Sequence, residues 1–248
     1  DPDILADGMR HEVARQLALV ASVGFHAQDE RLQFHFEVEH VMRLQRRMLS
    51  NGMDLKQPYF VVHAGASAPS RRYPAARFGA AAAMIARESG CIPVFTGEAG
   101  EESLIEEARR EISGPSFSVA GQLSIAELAA LIAGAQVLVS NNTGPVHIAA
   151  AVHTPVVDVY AQTNPQHTPW KVPSHVLSHS VPCRNCLKSE CPEGHHACLQ
   201  RIKPEAVASA SLDLMGPGPA VPLTTPAARP WSVVYGSTPH GAPLRAAG

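Results

Sequence analysis

Residues 140–151, SNNTGPVHIAAA, set a polar, chain-breaking run between an apolar strand-like segment, AQVLV, and an alanine-rich helix-like one. Thr143 can cap that helix, Gly144 lets the backbone turn tightly into it, and Pro145 suits its first turn. A helix start of this kind leaves N–H groups unbonded at the positive end of the dipole, which makes an anion site. His147 lies one turn in and can face the same ligand. A lone histidine on a helix is usually structural. Beside a Gly-Pro helix start at the end of a buried strand, it reads as facing a ligand.

Two other segments carry similar chemistry. In HAGASAPSRRYP the residues are small, Ser67 and Ser70 offer hydroxyls, and Arg71 and Arg72 precede Pro74. Small residues let a ligand approach the backbone, and a guanidinium can clamp a diphosphate. As plain structure the same stretch is a solvated turn with two surface arginines. In FTGEAGEE, Glu98, Glu101 and Glu102 stand at a strand end and a helix start, where the helix dipole favours carboxylates in any case. One of them can also accept hydrogen bonds from ribose hydroxyls. The chain lacks the dinucleotide-binding glycine fingerprint, the phosphate loop ending in Gly-Lys-Ser/Thr, a Ser-His-Asp set and a metalloprotease motif.

Four of the five cysteines, Cys183, Cys186, Cys191 and Cys198, fall within CRNCLKSECPEGHHAC with the spacing C-x2-C-x4-C-x6-C. Thiols this close can hold a structural zinc, but the spacing departs from the common pair-and-pair arrangement, and zinc is not the favoured reading. His195 and His196 read as loop residues, and Cys91 as an inert buried thiol. The cluster follows the apolar strand runs, so it is expected to be dispensable for ligand binding.

The elements that must position these groups are legible in the apolar rhythm. From residue 58 onward, YFVVHA, CIPVFTG, SFSVAG, AQVLVSN and PVVDVYA read as strands, with helices between them at 74–89, 101–112, 124–134 and 144–152. Ser124 and Glu127 match a capping box. Strands that are apolar throughout and alternate with helices predict an α/β fold, a doubly wound parallel sheet of Rossmann-like type, over 58–215. In such sheets ligands bind at the carboxyl ends of the strands, where all three polar segments fall. Upstream, residues 7–23 read as a helix capped by Asp7 and ended by Gly24, 31–38 as a half-buried strand by its alternation, and EHVMRLQRRMLSNG as a basic helix stopping at Gly52. Residues 216–248 are rich in Pro, Gly, Ala and Ser without periodicity and read as a disordered tail.

Composition bounds the function. The chain has 248 residues, 45% hydrophobic and 17% charged, with net charge −2 and 13 neutral histidines. This balance gives no broad nucleic-acid-binding surface. No apolar run reaches the roughly 18–20 residues that cross a bilayer, and the start shows no signal-peptide profile. The chain begins Asp-Pro-Asp rather than with Met and reads like the middle of a longer protein.

Taken in order, HAGAS…SRRYPAARF, VFTGEAGEE, GQLSIAELAALIAGAQVLVSNNTGPVHIAAAVHTPVV and the cysteine loop resemble the heptosyltransferase family, glycosyltransferase family 9, over roughly residues 58–210, with a weaker match at 8–50. The resemblance implies the C-terminal, nucleotide-sugar-binding half of a two-domain GT-B fold, with 1–57 as the end of the N-terminal domain and the connection. It further implies an enzyme that transfers a sugar, with inversion and without a bound metal, from ADP-heptose or a related nucleotide sugar. The acceptor is then a lipopolysaccharide-core or other glycan, and the setting cytoplasmic, at the inner face of the membrane. By the same resemblance Arg71 stands on the donor diphosphate, Ser67 near the phosphate-loop hydroxyl, and Glu98, or else Glu101, near the ribose. Asn142, Thr143, Gly144 and His147 match the family's Asp-Ser/Thr-Gly-x-x-His motif, with Asn142 where the family carries Asp. The family's catalytic base belongs to the N-terminal domain, and no residue here matches it. Two alternatives share the fold: a nucleotide-sugar 2-epimerase and a non-catalytic nucleotide-binding module.

Overall fold

The structure, a computed structural model, describes residues 9–215 and 233–235. Helix α1 (Glu12–Ala21) starts from His11, whose ring Nδ1 accepts from Val13 N at 3.1 Å; the expected cap, Asp7, lies outside the described residues. Strand β1 (Phe25–Ala27) follows Gly24, whose φ of +90° favours glycine. Residues 31–38 are not a strand. The alternation survives as burial, with Phe36 inside and Leu32 and Phe34 half-buried, but no neighbouring strand supplies a ladder, and Val38 is exposed at the start of helix α2 (Val38–Ser50). Period-two burial follows from any extended chain lying on a core, so the pattern alone did not imply pairing.

The expected strand–helix rhythm is present beyond residue 58. Strands β2 (Tyr59–His63), β3 (Ile92–Thr96), β4 (Phe117–Ser118), β5 (Leu138–Asn141), β6 (Val156–Val159) and β7 (Ser174–Leu177) form one parallel sheet in the order β4-β3-β2-β5-β6-β7. Helices α3 (Ala75–Ser89), α4 (Glu102–Arg109), α5 (Ile125–Ala133) and α6 (Gly144–Ala151) fall where the sequence placed them. Strand β7 escaped the sequence reading because SHVL sits at a sheet edge with every side chain only half-buried, so it carries no apolar run. Helix α7 (Ala197–Gln200) and helix α8 (Pro204–Leu214) complete the domain, and β8 (Val233–Tyr235) pairs antiparallel with β1. The rest of the Pro/Gly-rich tail lies outside the described residues.

Each face of the sheet is covered. On one, Phe60, Val62, Val139, Val157 and Val159 pack under α3, α4 and α8 through Phe78, Ile85, Ile105 and Val207. On the other, Tyr59, Val61, Val94, Leu138 and Val156 pack under α2, α5 and α6. Leu44, Met48 and Met53 are wholly buried in that second layer, so α2 shares the core of the sheet. Apolar residues on both sides of each strand explain the unbroken hydrophobic runs. The chain leaves β2 toward β3 and β4, then returns to β5 on the other side of β2. The carboxyl ends of β2 and β5 therefore flank the point where the strand order reverses, the place an open α/β sheet offers a ligand.

Candidate functional site

Two cavities open at this edge and meet at the first turn of α6. The larger, of about 680 Å3, is lined by Ser67, Glu98, Thr143 and Gly144 together with His63, Thr96 and apolar residues of α5. The smaller, of about 400 Å3, is lined by Arg71, Asn142, Thr143, Gly144 and His147 with Thr163, Asn164, His167 and Lys188. The seven residues singled out in the sequence thus all border one crevice, and Thr143 and Gly144 border both halves.

The loop after β2 is shaped by its neighbours. Arg72 Nε donates to Ala66 O at 2.7 Å, which leaves Arg71, on a single 3-10 turn (Pro69–Arg71), to line the smaller cavity. Ser70 is buried and committed elsewhere, with Oγ donating to Lys188 O at 2.8 Å and its N–H to Ser189 O at 3.1 Å. Asn141 ties the loop to β5: its Nδ2 donates to Ala64 O at 2.7 Å and its Oδ1 accepts from Tyr73 N at 3.0 Å. A Cβ on Gly65 would stand 2.1 Å from Glu101 Oε2, so a larger residue there would displace the Glu101 carboxylate. That carboxylate also accepts from Glu98 N at 2.9 Å, which makes Glu101 the cap of its turn. Both glutamates line the larger cavity and each side chain caps the other's backbone; Glu98 is the more exposed of the two.

The opening motif differs in detail from its sequence reading. Thr143 occupies the N-cap position of α6, but its side chain makes no capping bond; Oγ1 donates back to Asn141 O at 3.2 Å. Gly144 needs no positive φ, and beyond its chain neighbours and its own helix a Cβ there would meet nothing within 4 Å, so the glycine keeps open space where the cavities meet. His147 faces His167 edge-on, ring centroids 6.4 Å apart. Burial, then the neighbouring His167 and His11, lower its pKa from the usual 6.5, so near pH 7 it is a neutral imidazole.

Several lining residues were missed in sequence. Thr163, Asn164 and His167 come from QTNPQH, the loop after β6; its place at a strand's carboxyl end was the available signal. Lys188 comes from within the cysteine segment, which also receives the Ser70 bonds. That segment forms a wall of the crevice through Leu187, Lys188 and Ser189, while its four cysteines do not line it. Its four thiols are free and half-buried, and Cys183 Sγ lies 3.9 Å from His195 Nε2. Among the described residues no three His, Cys, Asp or Glu side chains gather as a group that would hold a metal ion. No described helix is long and apolar enough to cross a membrane.

Residues 3–197 match the family model for glycosyltransferase family 9 (heptosyltransferase). The chain is 25% identical over 213 residues to lipooligosaccharide heptosyltransferase 2 of Campylobacter jejuni, covering 83% of this chain and 64% of that one. It is 29% identical over 182 residues to lipopolysaccharide heptosyltransferase 1 of Pseudomonas aeruginosa, covering 67% of this chain and 50% of that protein. Among solved structures, a glycosyl transferase family 9 protein of Veillonella parvula superposes with a TM-score of 0.71 at 22% identity, over 85% of this chain and 61% of the other. The ADP-heptose lipopolysaccharide heptosyltransferase II of Escherichia coli gives 0.61 at 21%, over 74% and 53%. The structural likeness is one of fold, and the chain spans less than two thirds of the length of each of these proteins.

Proposed function

The chain belongs to glycosyltransferase family 9, the heptosyltransferase family, and on that premise we propose that its crevice binds the nucleoside-diphosphate-sugar donor of a glycosyl transfer. The observation that carries this is the junction at Thr143 and Gly144, between a cavity ending in Glu98 and one ending in Arg71, His147 and Lys188. A nucleoside suits the first: apolar walls take a base, and the Glu98 carboxylate accepts from ribose hydroxyls. A diphosphate suits the junction, where the backbone is bare at Gly144 and Arg71 can make bidentate, charge-assisted bonds. Ser67 offers a hydroxyl on the same side.

In this reading the donor is ADP-heptose, as the name of the Escherichia coli relative suggests, and the sugar lies in the smaller cavity. Charge builds on the diphosphate as the glycosidic bond breaks, and the helix start, Arg71 and Lys188 stabilise it. His147, neutral before binding, takes up a proton more readily once the anion is beside it, and so can assist the leaving group. Transfer proceeds with inversion to a lipopolysaccharide-core glycan held by the N-terminal domain, on the cytoplasmic side of the membrane. The base that activates the acceptor belongs to that domain.

The test is Arg71→Ala followed by calorimetry with ADP. Loss of one charge-assisted contact should weaken binding by about 1.5–3 kcal/mol. Equal affinity in the variant would remove Arg71 from the diphosphate and with it the basis for the assignment.

A further inference from the structure

Behind the junction lies a buried carboxyl that the donor site as described does not use. Asp158, in the middle of β6, is wholly inaccessible. It sits in register with Ser140 of β5, and by strand alternation it faces the α6 side of the sheet, as Val156 and Leu138 do. Asn142 Nδ2 donates to Asp158 Oδ2 at 2.7 Å and to His167 O at 2.8 Å. Two acceptors at this nitrogen settle which end of the amide is which, and they use both of its protons. Asn142 nonetheless lines the smaller cavity. What it has left to offer there is its carbonyl oxygen, an acceptor without charge. A phosphate oxygen near neutrality is itself an acceptor and gains nothing from such a group; a hydroxyl does.

We propose that Asp158 is a positioning residue of the donor site, fixing the Asn142 amide so that its carbonyl oxygen reads a hydroxyl of the donor's glycosyl group. The inference rests on the donor-site reading above. It also accounts for Asn142 standing where the family motif has Asp: here the carboxyl is one strand away and reaches the motif through the amide. An aspartate at 142 would put acceptor against acceptor at both Asp158 and His167 O. Asp158 Oδ1 has no hydrogen-bond partner among the described residues. Burial raises the carboxyl to about 7, against the opposing effect of the Asn142 bond. A group so costly to bury is not explained by stability.

The experiment compares ADP with ADP-heptose on the 248-residue chain by calorimetry. Asp158→Val puts an apolar side chain into a strand already built of valines. It should lower ADP-heptose affinity about 5- to 20-fold, the scale of one hydrogen bond, and leave ADP within about twofold. Asp158→Asn keeps an acceptor and should keep the preference for the sugar nucleotide. Asn142→Ala should lose the same factor as Asp158→Val, and the double variant no more than either. Circular dichroism checks that each variant folds; should Asp158→Val not, the Asn142→Ala and Asp158→Asn arms still decide. Equal losses for ADP and ADP-heptose, no loss in Asn142→Ala, or a loss in folded Asp158→Asn as large as in Asp158→Val would overturn the proposal. Wild-type protein that binds no ADP would instead sink the donor-site reading itself, and this inference with it.

Discussion

Neighbouring residues of one motif do different work here. Asn141 and Asn142 are identical in sequence, yet the first staples β5 to the loop after β2 and the second borders the cavity with its amide held by Asp158. Glu98 and Glu101 both line the larger cavity, the first exposed and the second with its carboxylate over Gly65. Residue types and spacing marked both glutamates, and the family resemblance marked Asn142 and assigned Asn141 no role. The bonds that distinguish them were not legible, because partners such as Ala64, Tyr73 and Gly65 become neighbours only when β2, β3 and β5 lie side by side. Gly144 gives the sharpest prediction at this scale. Beyond its chain neighbours and its own helix, a methyl group there would touch nothing. Pro145 crowds a Cβ on the helical residue before it, which offsets the gain from a less free unfolded chain. Gly144→Ala should therefore change stability by less than about 1 kcal/mol. The same methyl occupies the junction of the two cavities, so ADP affinity should fall more than tenfold. Chemical denaturation and calorimetry read the two effects separately. Unchanged ADP affinity would show that no ligand passes Gly144.

At the scale of elements, the second core layer is tied by the capping box of α5. Ser124 N–H and Oγ both donate to Glu127 Oε2, at 2.8 and 2.7 Å, and Glu127 N–H returns a bond to Ser124 Oγ at 3.3 Å. The glutamate is buried and lies 3.7 Å from Arg43 and 3.8 Å from Arg47 of α2, so one cap also joins two helices. Burial pushes its pKa up, but the Ser124 bonds and the two arginines outweigh this and hold it below the usual carboxylate value. A depressed pKa stabilises the fold above the unfolded value near 4.5 and ceases to do so as pH falls through the folded one. Ser124→Ala should therefore cost about 1–2 kcal/mol in urea unfolding at pH 7, the usual worth of an N-cap. A loss below a few tenths would mean that the arginines alone hold the helix start. The capping box was legible in SIAE because both partners are local. Arg43 and Arg47 read only as a basic helix, since their acidic partner lies some 80 residues on in the chain.

Two predictions concern the molecule as a whole. First, the chain should bind ADP-heptose without turning it over when mixed with a heptose-free core acceptor. Inverting transfer needs a base within about 2.6–3.2 Å of the acceptor hydroxyl, directly or through one water, and closure of the cleft to align the substrates. ADP release at the rate of a full-length relative would place the base on this side of the cleft. Second, burial raises the Asp158 carboxyl from the ordinary 3.8 to about 7, so folding favours its protonated form. That contribution is fully present below about 3.8 and is lost as pH rises through about 7. Measured against Asp158→Asn, which does not titrate there, wild-type stability should decline from pH 5 to pH 8 in denaturant unfolding; parallel profiles would contradict the raised value. The sequence by itself determined the parallel α/β sheet, the order of most of its strands and helices, and the three polar segments at the strand ends. Those follow from apolar runs, turn residues and caps, all set by near neighbours in the chain. The tertiary structure alone decided that 31–38 is extended without a ladder, that β7 joins the sheet edge, that the cysteine segment brings Lys188 to the crevice, and that a carboxyl on β6 grips the amide of Asn142. Each of these depends on which distant segments pack together, and long-range packing leaves no local periodicity to read.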